Sequence, residues 1–380
     1  MRFGWHPAAR VVDAAGGLHG PQTPADRPVV LAPVPGVVAL QAALGAPAFR
    51  IGGDGPPPEG AGLFETLTGG TSGTPRRILR AQASWIASFT QNARLFGIGP
   101  GVAVAVLGQL VHSLALYGAV EALHLGATLH LLDGVRPDRQ ARALAERRIA
   151  LVYATPAQMR ALVAAGVDWP DLRQVIIGGA KLDPALRAEL QTRSPAQVVE
   201  FYGAAETSFI SLSDAATPPD SVGRPYPGVE IEDRDGLLWV RSPYLAQGYA
   251  GVPGSALWQD GWVCPGEIGH LAEGYLYLTG RAGRRVKIAD QTVQPEEIEA
   301  LILSLPGVQA AAVLPQPDAR RGVVLVACLQ GDVTAEGAIL ARLRRDLGPL
   351  KAPRRIVWVA EWPVLPSGKT DLQALAGVVA

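Results

Sequence analysis

The sequence predicts an α/β protein: a large N-terminal domain with a mostly parallel, helix-covered sheet and a small β subdomain, then a smaller α+β C-terminal domain. Three observations point there. The chain has 380 residues, more than a single hydrophobic core ordinarily serves. From about residue 81, short apolar runs alternate with amphipathic segments of helical length. Beyond residue 220 this rhythm gives way to short runs divided by Asp-Gly and Glu-Gly pairs, and after RAGRR at 281–285 a fresh set of helices and strands begins. The expected domains are 1–281 and 282–380.

Taken in order, residues 1 to about 60 are rich in Pro, Gly and Ala, with VVLAPV and GVVALQAAL suiting weak strands and a short helix. GGDGPPPEG at 52–60 reads as a surface loop. A helix over 84–95 precedes the strand VAVAVL and helical residues within 109–124. ATLHLL is a strand, RPDRQARALAERR a helix and IALVYAT a strand; then come a helix at 156–165, the strand LRQVIIGG, a helix at 184–191 and the strand AQVVEFYG. Ligands of such sheets lie at strand C-terminal ends, where Thr155, residues 178–181 and residues 203–206 fall. In the second domain, PEEIEALILSLPGV starts with Pro295 and an acidic turn, as a helix does, and AAAVLP, VVLVACL and RRIVWVAEW read as strands around the helix AEGAILARLRRDLG.

Composition narrows the function classes. Basic and acidic residues both number 34, and the basic ones are dispersed without aromatic interleaving, so no nucleic-acid partner is expected. Residues 102–123 are the most apolar stretch, but His112 and Glu121 interrupt them, and they read as a buried strand and helix rather than a membrane span. Two cysteines make neither a disulfide framework nor a CxxC site, and the start lacks a secretory apolar run; both predict a cytoplasmic location. The chain has four lysines, Lys181, Lys287, Lys351 and Lys369, so lysine chemistry has few candidates.

The most informative stretch is TLTGGTSGTPRR at 66–77. Gly69, Gly70 and Gly73 permit tight turns, while backbone N–H groups with Thr68, Thr71, Ser72 and Thr74 supply donors for phosphate oxygens and Arg76 adds charge. GxxxxGK[ST] is missing, so this is not the kinase-like P-loop; by itself the stretch also suits an ordinary turn. In YGAAE, Tyr202 offers a ring for a base and Glu206 a carboxylate for Mg²⁺, although a core tyrosine and a capping glutamate fit those residues too.

TGGTSGTPR resembles the signature loop of the AMP-forming adenylating enzymes, the family of acyl-CoA synthetases, adenylation domains and luciferases. Five further blocks follow in family order: IIGGAKL, FYGAAET, GWVCPGEIGHL, LYLTGRAGRRVKIADQTVQPEEIE and LPSGKTD. Gly69 stands where Ser is usual, Ser72 where Thr is usual and Arg76 where Lys is usual. The resemblance implies that 68–76 holds the ATP phosphates, that Tyr202 lies against adenine with Gly179, Ala180 and Gly203 around the nucleotide, and that Glu206 holds Mg²⁺. Ala205 removes a hydroxyl normally directed at the adenylate phosphate, and Glu267 replaces the Asp that binds ribose hydroxyls. Arg281 matches an arginine near ribose and phosphate.

The same resemblance makes Lys369 the adenylation lysine, on a mobile C-terminal domain that rotates about Arg284 for a second, thiol-transfer step entered by the loop beginning at Lys287. Asp290 stands where Gly is common in that loop. His112 matches a position flanking the carboxylate, though it also suits a hydrogen-bonded core histidine on an apolar helix; Ile177, Gly178 and Phe201 are candidates for the acyl slot. The implied activity is an AMP-forming ligase for a carboxylic acid, aromatic or medium-chain aliphatic, using ATP and Mg²⁺ and passing the acyl group to CoA. Its alternatives are acyl loading of a phosphopantetheine thiol on a carrier protein, or a noncatalytic nucleotide-binding scaffold. With 67 residues before Thr68 the N-terminal part is short for the family, a part that often carries dimer contacts, and a homodimer is one expectation.

Overall fold

Short β-branched runs buried on both faces build the central sheet. The computed structural model describes residues 1–68, 75–288, 291–319, 322–365 and 370–379. Among them, six strands run parallel in the spatial order Gln197–Ala204, Gln174–Ile177, Leu151–Ala154, Ala103–Val106, Thr128–Leu131 and Arg10–Val12. Ser208–Ser213 and Arg224–Pro225 extend one edge antiparallel, and Leu18–His19 extends the other.

The helices Ser113–Leu125, Pro137–Glu146, Pro156–Val163 and Pro184–Arg193 link the parallel strands, as the alternation predicts. Their starts are legible: Thr155 and Gln158 form a reciprocal capping box ahead of Pro156, and Asp183 accepts from the Leu186 N–H at 3.0 Å ahead of Pro184. The helix Gln82–Phe96 ends at Gly97, whose φ of 66° few other residues adopt.

A second sheet in the same half has the order Gly248–Ala250, Arg77–Ala81, Leu63–Leu67, Ala48–Ile51, Val29–Leu31. Its central pair, Leu63–Leu67 and Arg77–Ala81, is an antiparallel hairpin that periodicity did not reveal. Rings of Phe3, Phe49, Phe64, Trp85, Phe89 and Tyr117 pack behind it. Between residues 230 and 281 lie the expected short strands, turning at Asp235-Gly236, Asp260-Gly261 and Glu273-Gly274, pairs with both φ values positive.

The chain divides into two compact units: Met1–Glu232 with Trp239–Pro265 and Ala272–Leu276, and Asp233–Leu238 with Gly266–Leu271 and Tyr277–Ala380. In the second, the hairpin Val308–Asp318 and Gly322–Gly331 takes Arg355–Trp358 as a parallel neighbour. The helices Pro295–Leu303, Glu336–Lys351 and Leu372–Val379 accompany this sheet, the middle one kinked at Gly348 and Pro349. No helix among the described residues is long and apolar enough to cross a membrane.

Candidate functional site

In sequence, the glycine-rich stretch joins the two strands of the hairpin in the second sheet. Its base is closed by Thr68 N–H donating to the Arg76 carbonyl at 2.9 Å and Arg76 N–H donating to Thr68 Oγ1 at 3.1 Å. Gly69, Gly70, Thr71, Ser72 and Gly73 lie outside the described residues. The hairpin is held from below by charge. Glu65 is buried and pairs with the buried Arg50 at 2.6 Å and with Arg77 at 3.7 Å. Arg50 also donates to the carbonyls of Gly52, Asp54, Gly55 and Pro56, so the loop at 52–60 wraps a guanidinium instead of lying loose. A buried ion pair needs such extra hydrogen bonds to offset its desolvation.

His112 stands beside this base. It is not on the helix, as expected, but at the N-cap of Ser113–Leu125, with an extended backbone that bridges Leu67 while Ser113 Oγ donates to the Leu67 carbonyl at 3.3 Å. Burial lowers its pKa, favouring the neutral imidazole.

Adjacent ends of the parallel sheet bring Gly178 and Phe201 together, whereas the Ile177 side chain, expected beside them, packs into the other core cluster on the opposite face of the sheet. Ile177 is buried at the close of its strand, and the Phe201 ring lies so near Gly178 that a Cβ there would fall 2.2 Å from it. Gly179 follows with φ of 95°, beside exposed Ala180. Tyr202 is half-buried at the next position. At Gly203 the register shifts and a Cβ would fall 2.0 Å from the Ser208 carbonyl oxygen, so this backbone crossing also demands glycine.

The chain then reverses through Ala205, Glu206 and Thr207, a turn closed by Thr207 N–H donating to the Ala204 carbonyl at 3.2 Å. Glu206 therefore caps no helix. Its Oε1 accepts from the Tyr249 hydroxyl at 2.6 Å, and its carbonyl accepts from Ala246 N–H at 2.8 Å. Arg80, buried on the outgoing strand of the loop hairpin, donates to the carbonyls of Ala205 and Tyr244. Burial lowers the Arg80 pKa to about 10, and the charge of Glu206 works against that shift. Burial, then Glu206, raises the Tyr249 hydroxyl, while the charge of Arg76 acts on it in the opposite direction.

Sequence reasoning missed both Arg80 and Tyr249. RILRA carries a second arginine inside a strand, a signal in principle; QGYAG offers none without the fold.

In the second unit the two residues expected near ribose pair with each other. Arg281 Nη2 lies 2.8 Å from Glu267 Oε1, the carboxylate 6% exposed and the guanidinium 51%. Arg284 is gripped by Glu299 at 2.7 and 3.0 Å and by Glu296 at 3.3 Å, and it donates to the Val313 carbonyl. Lys287 is exposed on a short ribbon, opposite Thr292. Lys369 and Asp290 lie outside the described residues.

Known proteins resemble this chain in sequence and fold. The AMP-binding enzyme profile matches residues 54–250, and the AMP-binding enzyme C-terminal domain profile matches residues 297–369. The chain is 33% identical over 324 residues to an uncharacterized acyl-CoA ligase, YhfT, of Bacillus subtilis strain 168, covering 81% of this chain and 66% of that one. To a putative long chain fatty acid-CoA ligase, VraA, of Staphylococcus haemolyticus it is 31% identical, covering 80% and 67%. The solved structure of the amide bond synthetase McbA from Marinactinospora thermotolerans superposes with a TM-score of 0.73 at 27% identity, over 92% of this chain and 79% of that one. The chain spans about two thirds of the length of the curated relatives it matches. It belongs to the AMP-binding enzyme family, within the superfamily of AMP-forming adenylating enzymes.

Proposed function

We propose that this chain is an ATP-dependent, AMP-forming acid-thiol ligase: a carboxylate displaces pyrophosphate from ATP to give an acyl-adenylate, and the thiol of CoA then displaces AMP, releasing a proton. The observation that carries it is the turn bearing Glu206, held by Tyr249 and by Arg80 from the strand that leaves the glycine-rich loop. This ties the turn of one carboxylate to the strand that leaves the stretch suited to phosphate.

The donor set fits Mg²⁺. Among the described residues no three His, Cys, Asp or Glu side chains cluster as a metal cage. Mg²⁺ does not ask for one: it takes one or two carboxylates, with phosphate oxygens and water filling the remaining positions. Glu206 would be the protein ligand, and the ion when bound would supply charge neutralisation between phosphates. Backbone N–H groups of Gly69, Gly70 and Gly73, hydroxyls of Thr68, Thr71 and Ser72, and Arg76 would bind the phosphate oxygens. Tyr202 would stack on adenine, with Gly179, Ala180, Gly203 and Ala205 as its small neighbours.

Glu267 would receive the ribose hydroxyls, its charge balanced by Arg281. Gly178 and Phe201 at the strand ends would flank the acyl group of an aromatic or medium-chain aliphatic acid, and His112 would orient the substrate carboxylate through a hydrogen bond. No general base is required, because a carboxylate is already ionised at neutral pH. Lys369 would neutralise charge developing on the α-phosphate and carboxylate oxygens. Residues 282–380 are read as the domain that then withdraws it, hinging at Arg284, and presents Lys287 for thiol attack.

A panel of carboxylic acids assayed for ATP-dependent release of AMP and pyrophosphate tests the reading. Acid-dependent release with acyl-CoA as product is expected. Product only with a phosphopantetheinyl carrier protein, or an amide with an amine, would replace the acceptor; no acid-dependent pyrophosphate exchange would overturn adenylation.

A further inference from the structure

A single carboxylate on a three-residue turn makes a precise ligand only if the turn and the carboxyl plane are both held, because each free rotation must be stopped on binding. Two side chains remote in sequence supply the restraint.

Tyr249 lies on Gly248–Ala250, which pairs with Arg77–Ala81, placing Tyr249 opposite Ile78. Its hydroxyl has one proton, given to Glu206 Oε1 at 2.6 Å, and its oxygen accepts from the Ala256 N–H at 3.3 Å. The ring cannot swing: it sits edge-on to Trp258, centroids 5.2 Å apart, and a Cβ at Gly254 would come within 2.0 Å of it. Among the described residues, Glu206 Oε2 carries no hydrogen bond. Arg80 fixes the backbone of the same turn through the Ala205 carbonyl, one residue before Glu206, and ties it to Tyr244. It does so from the strand that begins next to Arg76.

We propose that Tyr249 and Arg80 are positioning residues that lock Glu206 with Oε1 committed to the tyrosine and Oε2 presented to the divalent cation of bound nucleotide, an inference that rests on reading Glu206 as the metal-holding carboxylate. Arg80 joins that carboxylate to the hairpin carrying the phosphate-binding stretch, so the two halves of a metal-nucleotide site keep their spacing.

The test uses the full chain with Mn²⁺ as probe. Ternary binding of Mn²⁺ with ATP is followed by the loss of the free-ion paramagnetic resonance signal, and ATP binding in EDTA by calorimetry. Tyr249→Phe, which keeps the ring, is expected to weaken Mn²⁺ uptake in the ternary complex by about 10-fold while leaving ATP binding in EDTA within about 2-fold. Arg80→Lys, which keeps the charge but loses the forked donation, is expected to act in the same direction and serves should Tyr249→Phe fold poorly. Glu206→Gln sets the full loss of the metal-dependent part.

If Glu206→Gln loses Mn²⁺ dependence while both positioning variants match the wild type, the proposal falls and the role of Glu206 stands. If Glu206→Gln itself takes up Mn²⁺ normally, the reading of Glu206 falls and takes the proposal with it. Equal weakening of ATP with and without Mn²⁺ in the positioning variants marks a packing defect and also overturns the proposal.

Discussion

The carboxyl of Glu121 accepts a hydrogen bond from the hydroxyl of Tyr153 in the middle of the first unit, where both side chains are buried. Asn92 donates to the other oxygen of Glu121 at 2.8 Å and Tyr117 at 3.2 Å, while the Tyr226 hydroxyl donates to Asn92 Oδ1 at 2.7 Å. Burial pushes the Glu121 pKa up to about 8 against the lowering effect of these donors. The three tyrosines facing it are raised as well, chiefly by burial.

From this follows a pH dependence of stability. Since the folded pKa lies above the ordinary 4.5, the unfolded chain releases this proton first as pH rises. Glu121 therefore contributes a penalty that is absent below about pH 4.5, grows with pH and levels off above about pH 8. Glu121→Gln, permanently neutral, should gain on the wild type across that window. The difference in midpoint, variant minus wild type, is expected to rise by at least about 3 °C between pH 5 and pH 9 in thermal melts. A flat difference would show that Glu121 does not titrate there.

Gly178→Ala puts a methyl 2.2 Å from the Phe201 ring. The expected cost is about 1–3 kcal/mol by denaturant titration. Phe201→Leu in the same chain should recover most of it. Gly178→Ala melting like the wild type would contradict the close approach.

The ion pair of Glu267 and Arg281 should appear as coupling. Each single neutralisation, Glu267→Gln or Arg281→Met, is expected to destabilise, and the double variant by less than the sum, a difference of about 0.5–1 kcal/mol given the half-exposed guanidinium. Additivity within error would remove the pair as an energetic unit.

Lys369→Ala should suppress acyl-adenylate formation on the order of 100-fold or more, with ATP affinity largely retained, because its charge is needed chiefly where negative charge develops in the transition state. Single-turnover pyrophosphate release measures the first effect and calorimetry the second. Equal losses in both would make it a binding lysine instead.

The candidate site could be read from sequence where its residues are neighbours in the chain. TGGTSGTPR, YGAAE and PSGKTD announce themselves because turn chemistry and spacing are local properties, and the α/β alternation was readable for the same reason. The hairpin beneath the first of these motifs was not. Leu63–Leu67 is nearly all buried yet carries Glu65, and in Arg77–Ala81 an arginine, Arg80, takes one of the two buried positions, so hydrophobic alternation fails.

What the amino-acid order determined by itself is most of the succession of strands, helices and glycine turns, and the six ordered blocks that carry the resemblance to the family. Only tertiary structure decided which buried charges are tolerated and what they hold. Arg50 meets Glu65 and four carbonyls of its own loop, Arg80 meets carbonyls more than a hundred residues away, and Tyr249 meets Glu206 across 43 positions. A charge leaves water only when its partners arrive together: Arg50 and Glu65 meet across adjacent strands of one sheet, whereas the partners of Arg80 and Tyr249 become neighbours only once the two sheets have packed.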